Sequence, residues 1–177
     1  MSAGAELDPA PLAARLARGP QPWVLLIDGR SGAGKTQLAR ALARRTGARI
    51  VSLDEVYPGW DGLAAGAAAV PGIIREGRWR RWDWIADAPG EPAHVGRDGS
   101  LIVEGCGAIT RASRALADHA WWIDRDDAER RERALGRDGE AYAPHWERWA
   151  AQEEALARRE GSPALADLVL RAGDREA

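Results

Sequence analysis

The sequence is poor in the features of secreted, disulfide-bonded and membrane-spanning proteins. Its 177 residues include one cysteine, Cys106, which excludes an internal disulfide and a cysteine-based zinc cluster. No apolar run approaches the roughly 20 residues of a membrane span, and the first residues lack the basic and then apolar pattern of a signal peptide. We therefore expect a protein of the reducing cytoplasm that does not enter a membrane.

Neither sign of charge is in excess. The chain carries 25 Lys and Arg against 27 Asp and Glu, so no general attraction to nucleic acid or to an anionic membrane is expected. The length suits one globular domain and is short for two. Phenylalanine is absent while nine tryptophans are present, and we expect most of these tryptophans in the core. Composition leaves open whether the protein is a monomer or a homodimer.

Lysine is the scarcest cationic residue, because Lys35 is the only one and every other cationic side chain is an arginine. Lys35 lies in GRSGAGKT (29–36), which matches the phosphate-loop pattern G-x-x-x-x-G-K-[ST]. In this loop the backbone N–H groups cradle phosphates, the lysine reaches the β- and γ-phosphates, and the hydroxyl meets Mg²⁺. Arginine is a wide planar fork that does not suit so crowded a loop. The predicted nucleotide-binding residues are Gly29, Ser31, Gly32, Ala33, Gly34, Lys35, Thr36 and Gln37.

Apolar runs alternate with helical patterns along the chain. The runs predict strands at 23–28, 48–54, 100–105, 120–124 and 166–172. The helical patterns cover 7–18, 35–45, 111–118, 126–139 and 144–160. Such alternation builds a parallel sheet covered by helices on both faces. Residues 57–99 are rich in Gly, Pro and Trp and resist a regular assignment, so we interpret them as an insertion that covers a site.

The motif specifies a nucleoside triphosphate but not a reaction. A Ras-like GTPase reads guanine with Asn-Lys-x-Asp, which is excluded because the only lysine already belongs to the loop. A transporter-type ATPase would carry a Leu-Ser-Gly-Gly-Gln signature, which is absent. An AAA-type motor needs a larger body and a lid domain. The kinases of small molecules and nucleotides remain, in which the protein positions substrates and neutralises charge during phosphoryl transfer.

Three further segments resemble the uridine kinase-like branch of the phosphate-loop kinases. SLDEVY (52–57) is similar to the S-x-D-x-F-Y segment of uridine kinases, with Val56 in place of the aromatic residue. LIVEG (101–105) resembles their apolar strand that ends in Glu-Gly. The arginine-bearing helix within 125–140 is similar to their lid. The likeness covers 23–60 and 100–139 and stops in between.

The resemblance implies roles for two carboxylates. Asp54 would accept the proton of the acceptor hydroxyl or orient a water on the metal. Glu104 ends an apolar strand at the edge where parallel sheets bind ligands, so it would face Mg²⁺ together with Thr36 and Asp54. Asp28, at the end of the first predicted strand, is a further candidate for the same metal. The alternatives are that Asp54 caps a turn and that Glu104 forms a buried ion pair.

Arg130, Arg133 and Arg137 fall at i, i+3 and i+7, which places them on one face of the predicted helix. The resemblance implies that this face closes over the transferring phosphoryl group, with Arg133 and Arg137 stabilising its charge. The alternative is an ordinary solvated face. The catalytic residues predicted for the chain are Lys35, Asp54, Arg133 and Arg137.

Aromatic and charged side chains are concentrated between residues 57 and 84. Aromatic planes can stack a base, and charged groups can hold a hydroxyl or a phosphate. The predicted acceptor-binding residues are Tyr57, Trp60, Trp79, Arg81 and Trp82. A strand with Trp82 and Trp84 in the core explains the second half of this segment equally well.

These features predict a single-domain α/β fold of the P-loop NTPase type, with about five parallel strands and a small arginine-bearing lid. They predict an enzyme that transfers the γ-phosphoryl group of MgATP to a small acceptor, preferably a nucleoside or nucleotide. Two alternatives stay open. One is a kinase of a non-nucleoside metabolite or antibiotic, and the other is an ATP-binding regulatory protein without useful turnover.

Overall fold

The computed structural model describes residues 7–173, apart from the side chain of Asp138. The strands in this range are β1 (Val24–Asp28), β2 (Arg49–Ser52), β3 (Arg78–Asp83), β4 (Ala88–His94), β5 (Leu101–Glu104), β6 (His119–Asp124) and β7 (Leu168–Arg171). The helices are α1 (Pro9–Ala17), α2 (Lys35–Thr46), α3 (Leu63–Glu76), α4 (Arg111–Arg114), α5 (Asp127–Tyr142), α6 (Trp146–Glu160) and α7 (Ser162–Leu165). Short 3₁₀ turns cover Leu53–Glu55 and Ala143–His145. None of the helices within residues 7–173 is long and apolar enough to cross a membrane.

The main sheet has the strand order β2-β5-β1-β6-β7, and all of its pairs are parallel. The prediction of a parallel sheet of about five strands is therefore confirmed. The central strand β1 lies between β5 and β6, and Ile27 and Ser52 both pair in register with Glu104. The carboxyl ends of β1, β2 and β5 consequently meet at one edge of the sheet, where ligands bind in this architecture.

The two faces of the sheet carry separate hydrophobic clusters. Leu26 belongs to one cluster, together with residues of α3 and α6, whereas Leu25 and Ile27 belong to the other, together with residues of α1 and α2. Alternate residues of a strand point to opposite faces, so each face is covered by its own pair of helices. Of the nine tryptophans, the buried ones are Trp23, Trp121, Trp122, Trp146 and Trp149.

Residues 57–99 are more regular than their composition indicates. They form α3 and an antiparallel hairpin, β3–β4, that pairs separately from the main sheet. Gly66 and Pro71 interrupt the helical pattern of α3, yet the helix buries an apolar face and Gly66 is required by packing. A Cβ on Gly66 would lie 2.4 Å from the ring of Tyr57. Tertiary packing thus overrides a poor local propensity for helix.

Helix α5 differs from its predicted bounds at its carboxyl end. The pattern predicts an end at Gly139, and there the backbone does leave the helical region, with φ of 55° and ψ of −137°. The chain then continues in helical form to Tyr142 and passes through a short 3₁₀ turn into α6. The regular helix therefore stops at Gly139, as the pattern predicts, and the stretch up to Tyr142 is a separate helical segment beyond the kink.

Candidate functional site

The loop between β1 and α2 is closely covered by α5. Gly32 adopts a φ of +81°, and a Cβ there would lie 2.0 Å from the carbonyl oxygen of Arg130. Only glycine fits this position, because a side chain would meet both a left-handed backbone and the body of a helix. Helix α2 begins at Lys35, directly after the loop, so the loop amides and the helix N-terminus face the same side.

The side chain of Lys35 folds back over the loop. Its Nζ donates to the carbonyl oxygens of Gly29 at 2.7 Å and Arg30 at 3.2 Å, and to Sγ of Cys106 at 3.3 Å. Burial alone would lower the pKa of this ammonium, but the acidic groups of Cys106, Glu153 and Glu104 around it hold the pKa above its usual value. Lys35 is therefore a fixed positive charge at the loop.

Thr36 faces Glu104 across the sheet edge. Its Oγ1 lies 3.1 Å from each carboxylate oxygen of Glu104, which is buried at the end of β5. Burial, followed by the negative charge of Asp54, raises the pKa of Glu104. No cluster of three or more His, Cys, Asp or Glu suited to a metal occurs within residues 7–173. A hydroxyl with one or two carboxylates is instead the donor set that suits Mg²⁺, which binds through few protein oxygens and substrate phosphates.

Asp54 lies in the 3₁₀ turn that follows β2. Asp54 is exposed, and its backbone carbonyl accepts a hydrogen bond of 2.8 Å from Nε1 of Trp84. Its charge contributes to the raised pKa values of Glu104 and of Tyr57, in each case after the larger effect of burial. Asp54 therefore stands on the solvent side of the Thr36–Glu104 pair, at the same edge of the sheet.

Asp28 has a structural position. One carboxylate oxygen accepts from the N–H groups of Gly29 at 2.7 Å and Gly107 at 3.0 Å, and the other accepts from the N–H of Ile109 at 2.9 Å. Burial outweighs these bonds and raises the pKa of Asp28 to about 6. The carboxylate ties the loop after β1 to the segment after β5 through both of its oxygens.

Glu153 of α6 is a site residue that the sequence analysis missed. Its Oε1 accepts from Ser31 through the backbone N–H at 2.7 Å and through Oγ at 2.6 Å, and from Sγ of Cys106 at 3.1 Å. Its Oε2 lies 3.5 Å from Nε of Arg30. The sequence does carry a sign of it: Glu153 is an acid at a position of α6 whose helical spacing places it on the same buried face as Trp146, Trp149 and Leu156.

The predicted arginine face divides into residues on the loop and a residue beyond it. Arg130 is buried and donates from Nη1 to the carbonyl oxygen of Ser31 at 2.9 Å, while Arg133 donates from Nε to that of Gly32 at 3.2 Å. Arg133 also bonds the amide side chain of Gln37. Arg137 is exposed further along α5. The interpretation as a wholly solvated face is therefore wrong for Arg130.

Tyr57 and Trp60 occupy different environments. Tyr57 is 1% exposed, and its hydroxyl donates to the carbonyl oxygen of Cys106 at 2.8 Å, so it packs beneath the site as a core residue. Trp60 is half-buried and stacks on Tyr142 and His145, with ring centroids 5.3 and 4.3 Å apart. Both rings meet Trp149 edge-on, with centroids 4.9 Å apart for Tyr57 and 6.1 Å apart for Trp60.

The hairpin carries the remaining predicted residues, and Arg81 and Trp84 contact the turn that holds Asp54. Trp79 and Trp82 are half-buried, and their indole N–H groups have no partner within the described part of the chain. Arg81 is exposed and pairs through Nε with Glu55 at 2.9 Å. Trp84 lies beyond the end of β3 and is 38% exposed, which corrects the alternative of a strand with both tryptophans in the core.

Solved structures share this fold, although no protein-family model matches the chain and no curated protein matches it in sequence. A possible uridine kinase from Bacillus stearothermophilus has a TM-score of 0.64 at 15% identity, over 92% of this chain and 96% of that one. A candidate fructose transport system kinase from a Silicibacter species has a TM-score of 0.58 at 22% identity, over 93% and 99%. Shikimate kinase from Bacteroides thetaiotaomicron has a TM-score of 0.53 at 14% identity, over 88% and 89%. The chain therefore has the fold of the phosphate-loop kinases.

Proposed function

We propose that this protein is an ATP-dependent kinase that transfers the γ-phosphoryl group of MgATP to a nucleoside or nucleotide. The contact of Thr36 with Glu104 carries the proposal, because it joins the loop hydroxyl to a buried carboxylate at 3.1 Å beside the only lysine of the chain. These are the groups that a phosphate-loop kinase needs for phosphates and Mg²⁺. The shared fold with three kinases supports the same class of reaction.

Each group has a defined task in this reaction. Lys35 and the loop amides bind the phosphates, and Thr36 with Glu104 would hold Mg²⁺, which neutralises phosphate charge when bound. Asp54 accepts the proton of the acceptor hydroxyl from the exposed side of the same edge. Arg133, with Arg137 on the same helix, stabilises the negative charge that spreads over the transferring group.

The aromatic surroundings of Asp54 favour a nucleoside or nucleotide as the acceptor. Trp84 bonds the carbonyl of Asp54 and packs against Trp60, with ring centroids 4.9 Å apart. Arg81, on the same hairpin, adds a cation beside Glu55 that suits an anionic acceptor.

A non-nucleoside acceptor is the second candidate, and the packing of Trp60 favours it. The ring of this tryptophan is already stacked on Tyr142 and His145, which leaves less aromatic surface for a base. Two of the similar kinases are named for fructose transport and for shikimate. A regulatory ATP-binding protein is the third candidate, and the exposed carboxylate of Asp54 argues against it, since a pure binder has no need of an acceptor-side base.

The test is ADP release from MgATP with a panel of nucleosides, nucleotides, sugars, hydroxy acids and aminoglycosides. We expect release that depends on a nucleoside or nucleotide and is abolished in Lys35→Met. Asp54→Asn should lower kcat by about 100-fold or more while ATP affinity changes by less than about twofold. The matched control is Glu76→Gln, which removes a carboxylate charge at the exposed end of α3. Activity confined to other acceptors would favour the second candidate, and ATP binding without any acceptor-dependent release would favour the third.

A further inference from the structure

A buried carboxylate of α6 accepts a hydrogen bond from a backbone N–H of the phosphate loop. Oε1 of Glu153 accepts the backbone N–H of Ser31 at 2.7 Å, and Glu153 is only 5% exposed. We propose that Glu153 is a positioning residue that competes with the terminal phosphate of the nucleotide for this N–H, so that nucleotide binding displaces it and moves α6. The inference rests on the proposed function, because it requires that the loop binds nucleotide phosphate.

The charges around Glu153 resemble those that a phosphate would meet. Sγ of Cys106 donates to Glu153 at 3.1 Å and accepts from Nζ of Lys35 at 3.3 Å, so the carboxylate and the ammonium flank the same atom. Arg30 approaches the second carboxylate oxygen at 3.5 Å. An acid that sits among a loop N–H, an ammonium and a guanidinium neutralises the loop from within the protein.

A nucleotide phosphate and the carboxylate cannot use this N–H together. An N–H donor serves one close acceptor, and two anions held side by side in a site that excludes water repel each other strongly. The hydroxyl of Ser31, which also donates to Oε1 at 2.6 Å, would be released with the N–H and become available to the phosphate. Binding of the nucleotide therefore requires that Glu153 withdraws from Ser31.

Helix α6 connects this exchange to the acceptor side. Directly before Glu153, Nε2 of Gln152 donates to the carbonyl oxygen of Trp60 at 2.8 Å. The ring of Trp149 meets those of Tyr57 and Trp60 edge-on, with centroids 4.9 and 6.1 Å apart. Since Glu153, Gln152 and Trp149 share one rigid helix, a shift at the loop is transmitted to the segment that follows Asp54.

The first experiment measures ATP affinity in Glu153→Gln and Glu153→Ala. Both variants remove the competing charge, so both should bind MgATP at least about fivefold more tightly than the wild type. The matched control is Glu154→Gln, which changes the same charge at an exposed position paired with Arg158 and should leave the affinity unchanged. If Glu153 only held the loop in its folded shape, both variants would instead bind MgATP more weakly than the wild type. Unchanged or weaker ATP binding in folded Glu153→Gln would overturn the proposal.

A second experiment needs no variant. Hydrogen–deuterium exchange of the wild-type protein should become at least about twofold faster in peptides from α6 and from residues 57–62 when MgATP is added. Exchange that is unchanged or slower in both segments would overturn the link through α6.

Lys35→Met separates the role of Glu153 from the proposed function. If this variant binds ATP as the wild type does, the proposed function fails, whereas its loss of binding together with unaltered affinity in Glu153→Gln refutes only the role of Glu153.

Discussion

At the scale of single residues, the shape of the phosphate loop (residues 29–36) depends on compact side chains that form short hydrogen bonds. Lys35 makes two bonds to loop carbonyls and one to Cys106, all while buried. An ammonium on a thin stem can occupy this space, and in the proposed function its charge also meets the nucleotide phosphate. A guanidinium has the same charge but a planar fork that would need more room.

Lys35→Arg should therefore behave as a loss of function in spite of its retained charge. We expect ATP affinity to fall by at least about tenfold and turnover by about 100-fold, because the fork displaces the loop backbone from its phosphate-binding shape. Isothermal titration calorimetry and ADP release measure the two effects. Arg40→Lys, the reverse exchange at an exposed position of α2, is the control and should change neither quantity. A fully active Lys35→Arg would refute the steric argument.

Asp28 gives the site a dependence on pH. Its folded pKa of about 6 lies above the ordinary value of 3.8, so between these values the folded protein holds a proton that the unfolded chain has released. Stability contributed by this group is therefore full at low pH and is lost as the pH rises towards 6, by up to about 3 kcal/mol. Carboxylates with lowered pKa values, such as Asp127, act in the opposite sense, so overall stability alone does not isolate Asp28.

Carbon-13 NMR of the aspartate carboxyl groups measures Asp28 directly. We expect its signal to titrate with a midpoint near 6, because burial disfavours the charged form. In the same spectra Asp127 should titrate below its ordinary value, since its hydrogen bond with Arg130 favours the charged form and lowers its pKa. A midpoint near 4 for Asp28 would contradict the burial that the structure assigns to it.

The contact of Glu153 with Ser31 could not be predicted from the sequence, whereas the other site residues could. The loop and Asp54 follow strands and Glu104 ends one, so local pattern and strand order predict their common edge. Glu153 follows no strand and matches no motif, and it reaches Ser31 from 122 residues further along the chain. Only the position of α6 against the loop creates this contact. A charged residue in an otherwise buried helical stripe is the sole local sign of it.

Among the elements, α5 determines the shape of the loop. The carbonyl oxygen of Arg130 approaches Gly32 so closely that a Cβ there would lie 2.0 Å from it. The side chains of Arg130 and Arg133 then bond the carbonyls of Ser31 and Gly32. The backbone and the side chains of one helix thus hold the loop together, and any residue that separates them should weaken both folding and phosphate binding.

Gly32→Ala tests this packing. We expect a loss of about 2–4 kcal/mol in the free energy of unfolding, because the methyl group meets α5 and the backbone is left-handed. ATP affinity should fall as well. Gly136→Ala is the control, since a Cβ added to this exposed glycine of α5 would meet no atom within 4 Å and the variant should gain up to about 1 kcal/mol. Denaturant titration measures both changes, and equal stability of the two variants would contradict the close approach.

The elements differ in how well the sequence predicts them, and burial explains the difference. The inner strands of the main sheet, β1, β5 and β6, are apolar and buried on both faces, so their residues identify them without reference to neighbours. Hairpin β3–β4 is mostly exposed and contains Pro89 and Pro92, which are tolerated because the strands are edges. The pairing of β3 with β4 depends on contacts with the turn after β2, which lies outside the hairpin. No local sequence pattern predicts this pairing.

At the scale of the whole molecule, the site has two sides of different construction. The phosphate side belongs to the central strand β1, the loop and α2, and it is fixed by buried bonds to Asp28, Lys35 and Glu104. In the proposed function, the acceptor side would be built by α3, the hairpin and the aromatic rings around Trp60. The hairpin meets the turn after β2 through the bonds of Trp84 to Asp54 and of Arg81 to Glu55.

This division predicts that the hairpin can be shortened without loss of nucleotide binding. Replacing residues 81–91 by Asn-Gly, a two-residue turn that joins antiparallel strands, keeps the pairing of Arg80 with Pro92 and removes Trp82 and Trp84. We expect one cooperative unfolding transition and an ATP affinity within about threefold of the wild type, but a fall of at least about 100-fold in kcat/KM for the acceptor.

The reason for this selectivity is that the removed residues contact the turn that carries the acceptor-side carboxylate and not the loop. Ile85→Ser, at the fully exposed tip of the hairpin, is the control and should leave both substrates unaffected. Calorimetric titration with ATP and initial rates at varied acceptor concentration separate the two sides. A parallel loss of ATP binding would show that the hairpin also shapes the phosphate site, and the site would then be a single unit in which neither substrate can be tuned without the other.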